Sequence, residues 1–350
     1  MAVEPDPHHA SPWQATRLSD RVAAARARAA GRRRGAVLDL RLDAESRLSD
    51  QVRFEVTGRL HHLVEAIARD LLQQADRLMP EGAQHPQPEE VLRRLYRADA
   101  LTDPALVDEL VAQVRQGLIA RALPIENMAG DAPSLLVRLT EAPDRIVAAA
   151  ARAVLLAEGR AREVDEAAGL PTRLHERLVW TVAAALREGD DPAWDRALAQ
   201  AVERVLAARD DGDRPGLPAM RLAGAIDARP GELPDLLLES LSDRQLGLFI
   251  ALLSHALGIE HDMVREIVLE PEGDRLWLAL RSLDQDRPVI ARIGLSLCEA
   301  DARRDVDGFA EALDAIMAIP AEEARRAIAS LNLPAPFREA IERLEGSDRR

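Results

Sequence analysis

The chain has 350 residues, of which 47% are hydrophobic but only 3% aromatic, and its formal net charge is −14. All 46 basic residues are arginine, which excludes the usual P-loop, protein-kinase and Schiff-base mechanisms because each requires a lysine. The acidic balance argues against nucleic-acid binding. No secretory signal peptide and no apolar run of about 20 residues occur, so we expect a cytoplasmic protein that does not span a membrane.

Alanine, leucine, arginine and glutamate are abundant, and all four favour helices. The β-branched and aromatic residues that strands prefer are sparse, and only residues 35–42 have a strand-like pattern. The sequence therefore predicts an all-α protein. Apolar periodicity, interrupted by proline and glycine, predicts helices at 19–31, 45–78, 88–97, 103–122, 133–141, 143–158, 172–188, 191–208, 217–227, 232–240, 242–257, 260–268, 274–283, 286–299, 305–317, 321–330 and 335–345.

Residues 1–42 form a basic arm in an otherwise acidic chain. They contain eight arginines and four acidic residues, so their net charge is 8 − 4 = +4, against −18 for the remainder. The basic patch within it, RARAAGRRRG at 26–35, has no interleaved aromatic residues to stack on single-stranded nucleic acids and no apolar face of the kind that a membrane surface requires. We expect a flexible arm with a short helix that is either solvated or docks on an acidic partner through Arg26, Arg28, Arg32, Arg33 and Arg34.

A long amphipathic helix is predicted near the start of an N-terminal helical domain that spans 43–210. Apolar residues recur there at the helical period, at Val52, Val56, Leu60, Val64, Ile67, Leu71, Ala75 and Leu78. Because an apolar stripe must be covered, the helix is expected to join a bundle or a homodimer interface.

Two adjacent histidines in this helix suggest a possible site. His61 and His62 are followed by Glu65, one helical turn after His61. Two ligands on one helix do not complete a zinc site, which needs at least three protein ligands. Surface histidines are the simpler interpretation, and the alternative is a phospho- or metal-linked histidine site formed by His61, His62 and Glu65.

Two tryptophans are candidates for partner binding. Trp180 lies off the apolar stripe of its predicted helix, and Trp194 lies at the start of the next helix. Tryptophan is enriched among the residues that dominate binding energy at protein interfaces. Packing in the core is the alternative for both.

The tripeptide Leu-Ser-Asp occurs at 18–20, 48–50 and 241–243, and LTDPALV at 101–107 is similar. Serine or threonine before a first turn that contains aspartate is typical of a helix N-cap. Ser242 and Gln245 also have the spacing of a capping box, with Leu241 and Leu246 as a hydrophobic staple. Each motif is therefore predicted to begin a helix, with Thr102 as the cap in LTDPALV.

The loop at 209–218 is the predicted boundary before a C-terminal helical repeat domain that spans 216–346. Residues 225–241 align without gaps to 315–331 with seven identities, and the offset of 90 residues fits two HEAT-like units of about 45 residues. The segment 246–257, LGLFIALLSHAL, is apolar on every side and predicts a helix that is buried all round. Cys298, in an apolar run, and His255 are predicted to lie in the core.

Four stretches resemble a bacterial family known as domain of unknown function 2336, over roughly residues 45–345. They are LVAQVRQGLIARALP, PSLLVRLTEAPDRIVAAAARAVLLAE, HERLVWTVAAALRE and GDRLWLALRSLDQDRPVIARIGLSLCEADARRDVDGFAEALDAI. The resemblance implies a helical, HEAT-like protein. It supplies no activity and no catalytic residues.

We therefore expect a right-handed HEAT-like array, resembling an α-solenoid, with a long N-terminal amphipathic helix. Such arrays form extended grooves, which favours a non-catalytic scaffold for protein–protein interaction. An acidic groove suits a basic or amphipathic helix of the partner. No catalytic motif, metal site or cofactor is predicted. A signalling protein that dimerises and uses the histidine site is the alternative.

Overall fold

The computed structural model describes residues 48–79, 88–125, 133–163, 169–187, 190–209 and 216–334, together with 336–338, 340, 341 and 344. Every regular element within these residues is helical, which confirms the prediction of an all-α protein. The basic arm 1–42 with its candidate arginines, and the strand-like segment 35–42, lie outside the described residues. None of the described helices is long and apolar enough to cross a lipid bilayer.

Fifteen α-helices have defined bounds in the described residues. The first seven are α1 (Asp50–Asp76), α2 (Pro88–Arg97), α3 (Pro104–Ala122), α4 (Leu135–Thr140), α5 (Arg145–Glu163), α6 (Thr172–Ala185) and α7 (Pro192–Ala208). The others are α8 (Leu217–Ile226), α9 (Leu233–Ser242), α10 (Leu246–Leu257), α11 (His261–Leu269), α12 (Asp274–Ser282), α13 (Arg287–Ala300), α14 (Val306–Ala318) and α15 (Ala321–Ile328), followed by a 3-10 helix at Ala329–Asn332. Most predicted segments match these bounds to within three residues. The larger differences are that α1 begins at Asp50 and not at 45, α5 ends at Glu163 and not at 158, and α10 begins at Leu246 and not at 242. The predicted helix 19–31 lies outside the described residues.

Residue contacts divide the chain into two units, residues 1–50 and 51–350, and the following description concerns the second. Its buried apolar residues form two clusters. One is built by α1, α2, α6, α7 and the first half of α3, and the other by the second half of α3 with α4, α5 and α8–α15. Leu106 and Leu110 of α3 belong to the first cluster and Ile119 to the second, so α3 connects the two cores. The second cluster contains residues from both sides of the 209–218 loop.

Helix α10 lies within the second cluster. Eight of its twelve residues are buried, and α3, α8, α9 and α11 pack against it. The prediction of a helix that is buried all round is therefore confirmed. Its one buried hydroxyl remains paired, because Ser254 Oγ donates to the carbonyl oxygen of Ile259 at 2.6 Å.

Four helices end in a Schellman motif, in which a residue with positive φ follows the helix and the last carbonyls accept two backbone bonds. The positive-φ residues are Asp99 after α2, Arg244 after α9, Gly258 after α10 and Asp284 after α12. After α9, the N–H of Gln245 donates to Ser240 at 2.7 Å and the N–H of Arg244 donates to Leu241 at 2.9 Å. Asp284 and Gln285 make the same pair of bonds after α12. The two turns are thus alike and lie 40 positions apart.

The capping box predicted at Ser242 is wrong. Ser242 is the last residue of α9, and its hydroxyl donates to the carbonyl of Leu238 at 2.9 Å. The tetrapeptide SDRQ at 242–245 therefore closes one helix, because Arg244 adopts the positive φ that a Schellman motif requires.

The cap predicted at Thr102 is displaced by one residue. Asp103 is the N-cap of α3, and its Oδ1 accepts the N–H of Ala105 at 3.2 Å. The Thr102 hydroxyl donates backwards, to the carbonyl of Asp99 at 2.6 Å. The motif at 48–50 does precede a helix, because α1 begins at Asp50, and the motif at 18–20 lies outside the described residues.

Arginine side chains join the ends of different helices. The last carbonyls of a helix have no intrahelical partner and carry partial negative charge. A guanidinium offers five N–H donors in a rigid fork that suits them. Such bonds run from Arg94 to Ala185 and Arg187, from Arg244 to Leu123, from Arg303 to Leu269, from Arg304 to Val268 and from Arg325 to Ser282.

Arg281 makes the most extensive of these connections among the described residues. Its Nε and Nη2 donate to the carbonyl of Ile319, just after α14, at 3.2 and 3.0 Å. Its Nη1 donates to the carbonyl of Gln285 at 3.0 Å. One buried side chain therefore ties α14 to α12 and also stabilises the turn that follows α12.

We predict that Arg281→Met lowers the free energy of unfolding by about 2–4 kcal/mol, because it leaves two carbonyls without their charged donor. Arg287→Met is the matched control, since Arg287 is exposed and pairs with the exposed Asp314. The Arg287→Met substitution should lower the free energy of unfolding by less than about 1 kcal/mol. Urea unfolding followed by circular dichroism measures both, and equal losses would contradict a specific role for Arg281.

Candidate functional site

A cleft of about 670 Å³ opens between α3 and the neighbouring helices α11 and α12. A second cavity of about 320 Å³ lies next to it, against the start of α8. Glu109 of α3 lines both, as do Glu260, Asp262 and Arg265 at the start of α11 and within it. An ion pair between Glu109 and Arg265 therefore lies where the two cavities meet.

The Glu109–Arg265 pair is buried and bidentate. Arg265 Nη1 donates to Glu109 Oε1 at 2.9 Å and Nη2 donates to Oε2 at 2.5 Å, while each side chain is only 10% exposed. Gln113 adds a third donor to Oε1 at 2.7 Å. Burial works to lower the pKa of Arg265, but the hydrogen bonds and charge of Glu109, with Asp262, raise it overall. The guanidinium therefore stays charged, and the pair fixes α11 against α3.

Most acidic residues of the larger cleft are also paired with an arginine. Arg275 donates to Glu266 at 2.7 Å and to Glu270 at 3.1 Å. Arg338 donates to Glu260 at 3.4 Å. Each of these acids therefore has an arginine partner, although Arg275 is shared by two of them and the wall formed by α11 and α12 keeps a net negative charge.

Two charged residues on the α3 wall are different. Asp108 and Arg115 line the cleft, and neither forms a hydrogen bond or ion pair with any described residue. The Nε of Arg115 is buried. Burial lowers the pKa of Arg115, Arg303 lowers it further, and Asp301 acts in the opposite direction. On α3 the cleft thus presents one acid and one guanidinium that have no hydrogen-bonded or ion-paired partner in the described part of the chain.

His261 lines the smaller cavity. Its ring packs against the backbone of Gly216, where a Cβ would lie 2.5 Å from Cε1, and Gly216 has φ +83°. Nδ1 lies 3.4 Å from Asp262 Oδ1, and Nε2 is buried without a partner among the described residues. Only glycine fits at 216, because both the contact and the positive φ exclude a side chain there.

The predicted histidine site differs from the expectation because the side chain that contacts His61 comes from another helix. His62 is exposed, and His61 Nε2 lies 2.7 Å from the Tyr96 hydroxyl, with the two rings edge to face. Tyr96 is thus the side chain brought to His61, on α2, 35 residues away. Among the described residues, no group of three or more histidine, cysteine, aspartate or glutamate side chains is arranged to hold a metal ion.

The two candidate tryptophans have opposite environments. Trp194 is 4% exposed and belongs to the first core, where its Nε1 donates to the carbonyl of Leu186 at 3.1 Å. Trp180 is 48% exposed on α6. Phe54 of α1 and Tyr96 of α2 are also exposed. The sequence feature that indicates the exposure of Trp180 is its position off the apolar stripe of its helix.

Of the two other residues that were predicted to lie in the core, one is buried and one is exposed. Cys298 is buried, as predicted, and burial raises the pKa of its thiol. His255 is exposed, so its prediction is wrong. Its Nε2 lies 2.9 Å from Asp227 Oδ1, at the end of α8. Position 255 is near the C-terminus of α10, where the helix emerges from the core.

The chain matches no protein-family model, no curated protein and no solved structure. The resemblance to the domain of unknown function 2336 family stays a prediction. Sequence reasoning did not identify Glu109, Arg115 or Arg265. Arginine and glutamate are common on helices, and nothing in their local spacing marks a pair that is 156 residues apart.

We predict that Glu109→Leu alone lowers the free energy of unfolding by about 3–5 kcal/mol, because it leaves the buried Arg265 with only a 3.7 Å ion pair to the exposed carboxylate of Asp262. The double variant Glu109→Leu/Arg265→Met should lose less than about 1 kcal/mol, since neither charge remains. Urea unfolding of the single and double variants gives the coupling energy. Additive losses would show that the two residues do not act as a pair. Arg177→Met, at an exposed pair with Asp103, is the control.

His175 gives a pH-dependent prediction. It lies on α6, and burial together with the charge of Arg209 lowers its pKa from 6.5 to about 4. Between these values the unfolded chain binds a proton that the folded chain does not, so this group lowers stability as pH falls from 6.5 towards 4. His175→Gln should reduce the fall in melting temperature between pH 7 and pH 5. An unaltered profile for His175→Gln would contradict the assignment.

Proposed function

We propose that the chain is a non-catalytic, HEAT-like helical scaffold that binds another protein. The exposure of Trp180, at 48%, carries this proposal. A chain with 3% aromatic residues has few to place in its cores, yet Trp180 contributes little to them. A tryptophan on the surface is typical of a binding hot spot.

The outward face of α6 defines the chemistry of the partner. Arg173, Glu176, Arg177 and Ala184 are exposed on α6 together with Trp180. Arg177 is already paired with Asp103 at 2.7 Å. Guanidinium groups beside an indole suit an amphipathic helix that packs its apolar ridge on the indole and directs an acidic residue to Arg173. We propose such a helix as the element of the partner that binds here.

Repetition within the second core supports the HEAT-like part of the proposal. The sequence echo between 225–241 and 315–331 falls on two helix–turn–helix pairs, α8–α9 and α14–α15. The turns after α9 and α12 share a Schellman motif at a spacing of 40 residues. Both spacings are compatible with stacked helical units of the HEAT class.

Site-specific crosslinking tests the proposed surface. A photoreactive phenylalanine analogue at position 180, in the full chain expressed in its own source, should crosslink to a second polypeptide. The same group at position 156, an exposed leucine on α5, should give little of that product. Trp180→Ala should reduce recovery of the partner about tenfold or more. Equal crosslinking from both positions, or none from 180, would contradict the proposal.

A further inference from the structure

The α3 wall of the larger cleft has the spacing of a helix-docking face. Asp108, Val111, Ala112 and Arg115 all line the cleft. They occupy positions i, i+3, i+4 and i+7, which lie on one side of a helix. Two small apolar residues are therefore flanked by an unpaired acid and an unpaired base, about 10 Å apart along the axis.

The opposite wall contributes apolar residues and acidic residues that are already paired with arginine. Met263, Leu269 and Pro271 supply apolar surface. Glu266 and Glu270 are paired with Arg275, and Glu109 with Arg265, as described above. Asp108 and Arg115 are therefore the lining charges that a ligand could pair without displacing an ion pair between described residues.

We propose that this cleft binds a helical segment of a partner protein that carries a cation and an anion seven residues apart, with small apolar residues between them. The cation pairs with Asp108 and the anion with Arg115. The accessible part of the Arg115 guanidinium can bond to such a carboxylate, and this charge-assisted bond is strong because the side chain is partly buried. The apolar centre of the segment packs on Val111 and Ala112.

The site goes beyond the proposed binding surface on α6. Leu174 of α6 lines the cleft, whereas Trp180 does not. The two surfaces are thus separate, and Trp180→Ala should leave binding in the cleft unchanged. A negative crosslinking result at position 180 and a lack of peptide binding in the cleft are therefore independent results, and each contradicts only its own proposal.

Designed helical peptides test the site on the full chain. Four peptides share one alanine- and leucine-containing sequence and differ at two positions seven residues apart, which carry Arg and Glu, Arg and Arg, Glu and Glu, or Gln and Gln. Fluorescence anisotropy gives their affinities. The mixed Arg/Glu peptide should bind about tenfold more tightly than each of the others, since each lost charged contact costs about that factor.

Charge reversal on the protein should then switch the preference. Arg115→Glu should bind the Arg/Arg peptide best, and Asp108→Arg should bind the Glu/Glu peptide best. Arg121→Glu is the control on the same helix, because Arg121 pairs with Glu55 and does not line the cleft. It should keep the preference for the mixed peptide.

Urea unfolding shows whether each variant folds. If Arg115→Glu does not fold, Arg115→Gln replaces it and should reduce binding of the mixed peptide about tenfold. The absence of binding by all four peptides would overturn the proposal. Affinities that do not depend on the charges at 108 and 115 would overturn it as well.

Discussion

The structure depends on arginine side chains that bond to backbone carbonyls at the ends of other helices. Many short helices create many unpaired carbonyls, and each would cost free energy if it were buried without a donor. In a chain without lysine, the guanidinium fork supplies these donors in fixed geometry. Arg94, Arg244, Arg281, Arg304 and Arg325 all connect helices that are distant in the sequence. The connections determine how the turns of neighbouring helix pairs meet.

Arginine side chains also determine how charge is distributed in the cleft. Once Arg265, Arg275 and Arg338 are bonded to acidic residues, its wall on the α11–α12 side carries paired charges. Asp108 and Arg115, on α3, differ in lacking a partner among the described residues. Because α3 also connects the two cores, a ligand that binds its exposed face would contact the element shared by both. This position makes the cleft a second candidate binding surface in the proposed scaffold.

Local signals were sufficient to predict most helices, because apolar periodicity and proline or glycine mark their extent. They failed at Ser242, where SDRQ reads as a capping box but forms a Schellman turn with Arg244 at positive φ. They also indicated that Trp180 lies off the apolar stripe of its helix, but they did not decide whether Trp194 lies on the surface or in the core. Helix phase separates an outward indole from an inward one, but the bond from Trp194 to Leu186 is decided by packing. Long-range pairs have no local signal at all.

The most direct test of this account compares two sets of Arg→Lys substitutions in the full chain, which keep the charge but remove the guanidinium fork. One set replaces the connecting residues Arg94, Arg244, Arg281, Arg304 and Arg325, and the other replaces the exposed residues Arg69, Arg145, Arg173, Arg196 and Arg221. We expect the first set to lower the free energy of unfolding in urea by more than about 5 kcal/mol, at 1 kcal/mol or more for each site. The second set should change it by less than about 1 kcal/mol. Equal losses would show that charge alone, or arginine content in general, stabilises the fold.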